Sequence, residues 1–196
     1  MRSFLIISLI SLFTSLSFAQ SNLFQISGNV SCESGSLLQG VEVYLLDAAG
    51  NHLDTSITDA AGVYVFDQLS TSISAFYQIQ AKFPDFSPLN GVSTFDVVLI
   101  TRHILGVGQA LNAVQVAAGD VNQSGTLTTL DLVYLRLLIL QISGTENLPP
   151  VDWLFYAEGS NDPTQAIEVS NLSADVVLNL KATKRGDING SAICGQ

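Results

Sequence analysis

Residues 120–131, DVNQSGTLTTLD, carry an oxygen-bearing group at every position that a twelve-residue calcium loop uses as a ligand. Such a loop binds Ca²⁺ from positions 1, 3, 5, 7, 9 and 12, and position 6 is a glycine that allows a sharp turn. Gly125 occupies that position here. The predicted ligands are Asp120, Asn122, Ser124, the carbonyl of Thr126, Thr128 and Asp131. We call residues 120–131 the continuous site; the alternative is a polar turn that only caps a helix, as Asp and Thr often do.

An incomplete copy of this loop, DFSPLNGVSTFD, occupies residues 85–96. Its oxygen-bearing ligand positions are Asp85, Ser87, the carbonyl of Gly91, Ser93 and Asp96. Leu89 at position 5 offers no side-chain oxygen. Asn90 replaces the glycine at position 6, where asparagine can adopt the left-handed conformation. Taken alone, this copy predicts a weak site.

The C-terminal tail carries the part that the copy lacks. Residues 187–191, DINGS, repeat the Asp, Asn and Ser of DVNQS at the same spacing. We therefore predict a split site, in which two distant segments share one calcium ion. Its ligands are Asp187, Asn189, Ser191, Gly91, Ser93 and Asp96. Folding would then bring the tail back onto the first helix; alternatively, DINGS is only a turn.

The segments that position these loops divide into helices and strands. Residues 94–105 and 129–140 are apolar at helical spacing and too long for an average strand, so we predict two helices, with a shorter one at 110–119. Alternating β-rich stretches predict strands at 24–30, 41–46, 63–66, 77–83, 151–157 and 176–182. The repeated DAAG at 47–50 and 59–62 marks turns, because Asp starts turns and Gly supplies positive φ.

The predicted fold class is α+β, with several domains. An antiparallel β-sandwich is followed by a small helical module of two calcium-loop–helix repeats and then by a β-rich tail. The predicted boundaries are a signal peptide at 1–19, the sandwich at 20–83, the helical module at 84–145 and a C-terminal wrapping segment at 146–196.

Residues 1–19 predict export. One early Arg, a short apolar run broken by Ser and Thr, and small residues at its end are typical of a secretory signal peptide. A membrane anchor is the alternative, but the run is short for a span. We expect a secreted or cell-surface protein with no membrane span in its mature chain. In that location Cys32 and Cys194, the only cysteines, could pair or remain free thiols.

The first sixty residues of the mature chain resemble carboxypeptidase-regulatory-like or prealbumin-like β-sandwich modules of bacterial surface proteins. The matching stretches are ISGNV at 26–30, LQGVEVYL at 38–45 and TDAAGVYVFDQL at 58–69. The resemblance implies a sandwich fold and a spacer or stabilising role.

Residues 85–142 resemble a type I dockerin, a module with two repeats of a calcium loop followed by one helix. DVNQSGTLTTLDLVYLRLLIL and NGVSTFDVVLITRHILGV carry the resemblance. It implies two antiparallel helices that bind a cohesin-type partner. The implied contacts are Thr94, Arg102, Thr129 and Arg136, whereas Phe95, Leu130 and Leu137 at neighbouring positions are at least as well explained by core packing. The chain departs from a full EF-hand in having Asp, not Glu, at position 12 of each loop.

Charge and missing motifs exclude several functions. A net charge of −10 argues against nucleic acid and against anionic membrane surfaces. There is no nucleophile elbow, phosphate-binding glycine loop or zinc spacing, so we expect no enzyme. Trp153 and its aromatic neighbours could stack on a sugar, although such a cluster is more often core.

We expect a calcium-dependent docking protein that binds a cohesin-type partner, with polysaccharide-degrading enzymes as further partners. Two alternatives stay open. One is a structural or adhesive cell-surface protein that uses calcium only for stability. The other is a fragment of a larger secreted glycoside hydrolase.

Overall fold

The computed structural model describes residues 23–70, 76–84, 87–142, 152–160 and 162–194. Within these ranges the chain forms nine strands and three helices, so the predicted α+β class is confirmed. The predicted signal peptide and the predicted ligand Asp85 lie outside the described residues. No helix in the described ranges is long and apolar enough to cross a bilayer.

The elements follow the predicted order, with two additional strands. The strands are β1 (Leu23–Cys32), β2 (Glu42–Asp47), β3 (His52–Ile57), β4 (Val63–Ser70), β5 (Phe76–Lys82), β6 (Trp153–Ala157), β7 (Ile167–Ser170), β8 (Val176–Val177) and β9 (Leu180–Lys184). The helices are α1 (Thr94–Ile104), α2 (Ala113–Gly119) and α3 (Thr129–Ile139). The sequence did not predict β3 or β7.

The strands form two sheets, and strands of the tail complete both. One sheet has the order β4-β1-β9-β6, with β8 also paired to β1, and the other has the order β3-β2-β5-β7. The second sheet is antiparallel, as predicted. The first is mixed, because β8 and β9 run parallel to β1. Parallel neighbours need a long crossover, and here the chain from β2 to β7, which includes the three helices, connects β1 to β8.

The predicted strand at 176–182 is divided into β8 and β9, and a glycine of β1 lets the chain approach closely at the break. A Cβ atom at Gly28 would lie 1.9 Å from the carbonyl oxygen of Leu178, so only glycine lets the tail approach β1 this closely. The Leu178 N–H donates to the Ser27 carbonyl at 2.7 Å. The Tyr64 hydroxyl donates to the Leu178 carbonyl at 2.5 Å.

The sandwich encloses the larger of two apolar cores. Its buried side chains alternate along the strands, as with Val43 and Leu45 on β2 and with Leu180 and Ala182 on β9. Trp153 is only 6% exposed and packs edge-on against Phe83, so the favoured interpretation of this residue as core is correct.

A smaller core lies between α1 and α3. Ile100 of α1 and Leu135 of α3 are fully buried in it. Val121 of the continuous site and Ile188 of the tail, each 2% exposed, belong to the same cluster. The tail therefore packs against the helices as well as completing the sheets.

Candidate metal centres

The continuous site is a compact loop whose carboxylates face inward. Asp120 Oδ1 accepts a hydrogen bond from the Ser124 N–H at 2.9 Å, and Asp120 Oδ2 accepts one from the Gly125 N–H at 2.7 Å. The Ser124 hydroxyl donates to the Thr126 carbonyl at 3.0 Å. Asp131 Oδ1 accepts from the Asn122 N–H at 3.1 Å, which joins the last ligand position to the first half of the loop.

The helix-capping role that competes with metal binding is present. Thr128 is the N-cap of α3 and forms a capping box with Asp131, whose Oδ2 accepts from the Thr128 N–H at 2.8 Å. Each carboxylate oxygen has more than one lone pair, so capping leaves electron pairs free for a cation. Helix capping and metal binding are therefore compatible at this loop.

The tail folds back onto the start of α1, where the split site was predicted. Asp187 Oδ1 accepts from the Ser191 N–H at 3.0 Å, and Asp187 Oδ2 accepts from the Ala192 N–H at 2.7 Å. The Ser191 hydroxyl donates to the Gly91 carbonyl at 3.0 Å. Asp96 Oδ1 accepts from the Ile188 N–H at 2.9 Å.

The two sites share most of their hydrogen bonds, and they differ in that the Ile188 N–H donates to Asp96 whereas the equivalent Val121 N–H donates to the Gly119 carbonyl. Asp96 Oδ2 accepts from the N–H of Ser93, the N-cap of α1, at 2.8 Å, as Asp131 does from Thr128. The equivalent residues are Asp120 with Asp187, Asn122 with Asn189, Ser124 with Ser191, Thr126 with Gly91, Thr128 with Ser93, and Asp131 with Asp96. All six predicted ligands of the split site are thus brought together from two segments.

Asn90 and Gly91 join the segments where the continuous site has unbroken chain. The Asn90 side chain donates to the Ile193 carbonyl at 2.8 Å and accepts from the Ile193 N–H at 2.9 Å. A Cβ at Gly91 would lie 2.6 Å from the N and Cα of Ala192. Gly91 has φ +78°, whereas Asn90 is not among the described residues with positive φ, so the left-handed role predicted for Asn90 is wrong. It clamps the tail instead.

Both sites bury negative charge. Asp96 and Asp131 are fully buried, and Asp120 and Asp187 are 6% and 2% exposed. The ion pairs among the described residues join Lys181 to Glu158 and Arg185 to Asp152, and none involves these four carboxylates. Burial, together with the negative charge of Asp96, raises the pKa of Asp187, although N–H donors from Ser191 and Ala192 oppose the shift.

The donor chemistry suits a hard cation. No group of three or more His, Cys, Asp or Glu side chains that could hold a metal occurs in the described part of the chain. Each site has two carboxylates and takes its remaining donors from amide, hydroxyl and backbone oxygens. An all-oxygen set of this kind fits Ca²⁺ rather than zinc or copper, which prefer nitrogen and sulfur.

The predicted partner contacts lie on the surface. Thr94, Arg102, Thr129 and Arg136 are all exposed. Phe95 and Leu130 are 54% and 46% exposed, so the core-packing interpretation is wrong for them, whereas Leu137 is partly buried. Val98 and Val133, one turn further along each helix, are exposed to 48% and 47%. The two helices therefore present similar apolar surfaces at equivalent positions.

A disulfide anchors the end of the tail. Cys32, the last residue of β1, is bonded to Cys194, which lies 162 positions further along the chain, and their Cα atoms are 6.5 Å apart. Cys194 follows Ser191 by three residues, so this bond holds the split site against the sandwich.

Sequence reasoning missed the buried cation Lys184. This residue is fully buried at the end of β9, and its Nζ donates to the Ser87 carbonyl at 2.8 Å. The Nζ also lies 5.4 Å from the centre of the Trp153 ring, within the range of a cation–π interaction. A lysine in a strand ordinarily predicts a surface position, and nothing near it in sequence indicates burial.

No protein-family model and no curated protein matches the chain. Two solved structures of BcpA, the major pilin subunit of Bacillus cereus, are similar in part. One shares 13% identity over 83% of this chain with a TM-score of 0.39; the other, of a variant, shares 16% identity over 31% with a TM-score of 0.28. The chain spans 30% and 17% of the length of those structures. Such distant likeness assigns no function.

Proposed function

We propose that this is a non-catalytic, calcium-binding structural protein of the cell exterior, in which Ca²⁺ at the continuous site orders the helical segment. The observation that carries the proposal is a pair of buried carboxylates, Asp120 and Asp131, in the same loop of oxygen-bearing residues. Neither carboxylate has an ion-pair partner among the described residues. Burying charge without a counter-charge is costly, and a divalent cation removes that cost.

Calcium would act here through folding. Asp131 caps α3 and also accepts the Asn122 N–H, so a cation that holds this carboxylate fixes the loop and the helix start together. Metal-binding free energy then becomes folding free energy, because the site does not exist in the unfolded chain. Calcium-rich surroundings outside the cell would keep such a protein folded.

A calorimetric calcium titration of the full chain tests the proposal. Asp131→Asn keeps the size of the side chain and removes its charge, and it should abolish binding at the continuous site. Asp47→Asn is the matched control, because Asp47 also accepts backbone N–H groups two and four residues on, at 2.8 and 2.9 Å, in a surface turn. Unchanged binding by Asp131→Asn, with the control equal to wild type, would rule out this site.

A second candidate function is docking of a protein partner on the outer faces of α1 and α3. It is supported by the exposed apolar pairs Phe95 with Leu130 and Val98 with Val133. The dockerin resemblance suggests a cohesin-type module as that partner. Surface plasmon resonance against cohesin modules, with Phe95→Ser/Leu130→Ser as the loss-of-contact variant, tests docking apart from calcium binding. Equal binding by wild type and variant would exclude this surface.

A further inference from the structure

We infer that the split site binds a second calcium ion, and that this ion fastens the C-terminal tail to the first helix. The ligands come from residues 187–191 on one side and residues 91–96 on the other. The inference rests on the proposed function for its choice of metal. The inference gives calcium a second role, because this ion joins two distant segments of the chain, whereas the ion of the continuous site orders a single loop.

The two buried carboxylates of the split site need a positive counter-charge that the described side chains do not supply. Asp187 and Asp96 are 91 positions apart in sequence, and they are 2% and 0% exposed. The N–H of Ile188, the residue after Asp187, donates a hydrogen bond to the Asp96 carboxylate. No basic side chain of the described residues forms an ion pair with either one. Two carboxylates buried together repel each other, so a bound cation is the arrangement that makes their burial favourable.

A simple turn does not need these features. Asp47 heads such a turn, and its second oxygen is satisfied by Asn51 within the same turn at 2.8 Å, at the surface. Asp187 also accepts N–H bonds within its own turn, from Ser191 and Ala192, but it is buried. The Gly91 carbonyl and Asp96, which supply the remaining oxygen atoms, come from another segment. The tail therefore adopts a shape whose completion depends on α1.

Both ends of the tail half are fixed before any ion binds. On one side β9 ends at Lys184 and pairs with β1 and β6. On the other side Cys194 is bonded to Cys32. This anchoring places Asp187 beside α1 at a high effective concentration, so two segments can bind one ion nearly as well as a single loop does.

The test counts bound calcium in the full chain by native mass spectrometry and calorimetry. We expect two ions for wild type and for the control Asp47→Asn, and one ion each for Asp187→Asn and Asp120→Asn. Circular dichroism of each variant checks that it is folded. In parallel, a calcium titration of ¹⁵N-labelled wild type followed by NMR needs no variant, and it should shift the amides of Ile188 and Ser191 as well as that of Ser124.

The outcomes separate this inference from the proposed function. One ion in wild type that is lost in Asp120→Asn and kept in Asp187→Asn, with the tail amides unmoved, overturns the split site alone. One ion that is lost only in Asp187→Asn, with the amide of Ser124 unmoved, overturns the continuous site alone. No bound ion and no amide shifts overturn both.

Discussion

The carboxylate of Asp96 accepts the backbone N–H of Asn189, ninety-three residues further along the chain, at 3.3 Å. The equivalent bond in the continuous site joins Asp131 to Asn122, only nine residues away, at 3.1 Å. The same local geometry is thus built once within a loop and once between two segments. This difference in connectivity leads to distinct expectations for calcium, for glycine substitutions and for the disulfide.

Calcium should stabilise the protein against heat. A ligand at about 100 times its Kd stabilises the folded state by about 2.7 kcal/mol per site. For a chain of this size we expect a Tm increase of roughly 5 to 10 °C per ion. Differential scanning calorimetry in millimolar CaCl₂, and again after EDTA, measures it. Magnesium is the control and should give a smaller shift, because it keeps its water ligands; no shift with calcium would contradict metal binding at both sites.

Alanine should be tolerated less well at Gly91 than at Gly125. Both glycines have positive φ, +78° and +81°, so each substitution carries a backbone cost of about 1–2 kcal/mol. A Cβ at Gly91 would also meet the Ala192 backbone at 2.6 Å, whereas one at Gly125 would meet nothing within 4 Å. We expect Gly91→Ala to lower the free energy of unfolding by roughly 1–3 kcal/mol more. Urea denaturation in calcium measures this, and equal losses would show that the tail does not press on Gly91.

Removing the disulfide should weaken the split site selectively. The bond joins residues 162 positions apart in sequence, and its loss costs up to about 5 kcal/mol through the entropy of the unfolded chain. In Cys32→Ser/Cys194→Ser we expect calcium affinity to fall at the split site and to stay unchanged at the continuous site. Calorimetric titration at a temperature where the variant is folded resolves the two. Equal weakening of both sites would argue for a global effect instead.

Leu130 and Leu135 lie on the same helix and should respond differently to alanine. Leu130 is 46% exposed, so Leu130→Ala should change the free energy of unfolding by less than about 0.5 kcal/mol. Leu135 is fully buried between α1 and α3, so Leu135→Ala should cost about 2–5 kcal/mol. Urea titration of both variants tests which face of α3 is core. A large loss for Leu130→Ala would remove this surface from consideration for docking.

The sequence was most informative where the structure depends on neighbouring residues. Ligand spacing and capping chemistry are local, so the starts of α1 and α3 at Thr94 and Thr129 could be predicted. The tail half of the split site could be found because its spacing repeats that of the continuous site. The hydrogen bonds between the Asn90 side chain and Ile193 could not be predicted, since they depend on where Ile193 lies in the folded chain.

The features that were missed depend on contacts between distant segments. β3, HLDTSI, is mostly exposed and has no apolar alternation to indicate a strand. The parallel pairing of β9 with β1 depends on a crossover through the helices. The burial of Lys184 depends on Trp153 and Ser87, which meet only in the folded chain.

The bond between Cys32 and Cys194 also sets how the protein would carry a mechanical load. Tension entering at Leu23 and leaving at Cys194 would pass along β1 and directly through the sulfur atoms. The intervening 161 residues would bear none of it, so strands β2 to β9, the helices and both proposed ion sites would stay unstretched. Only β1 would be under tension. Its hydrogen bonds to β4 and β9 run across the strand direction, so the tension would shear them, and they would break together rather than one by one.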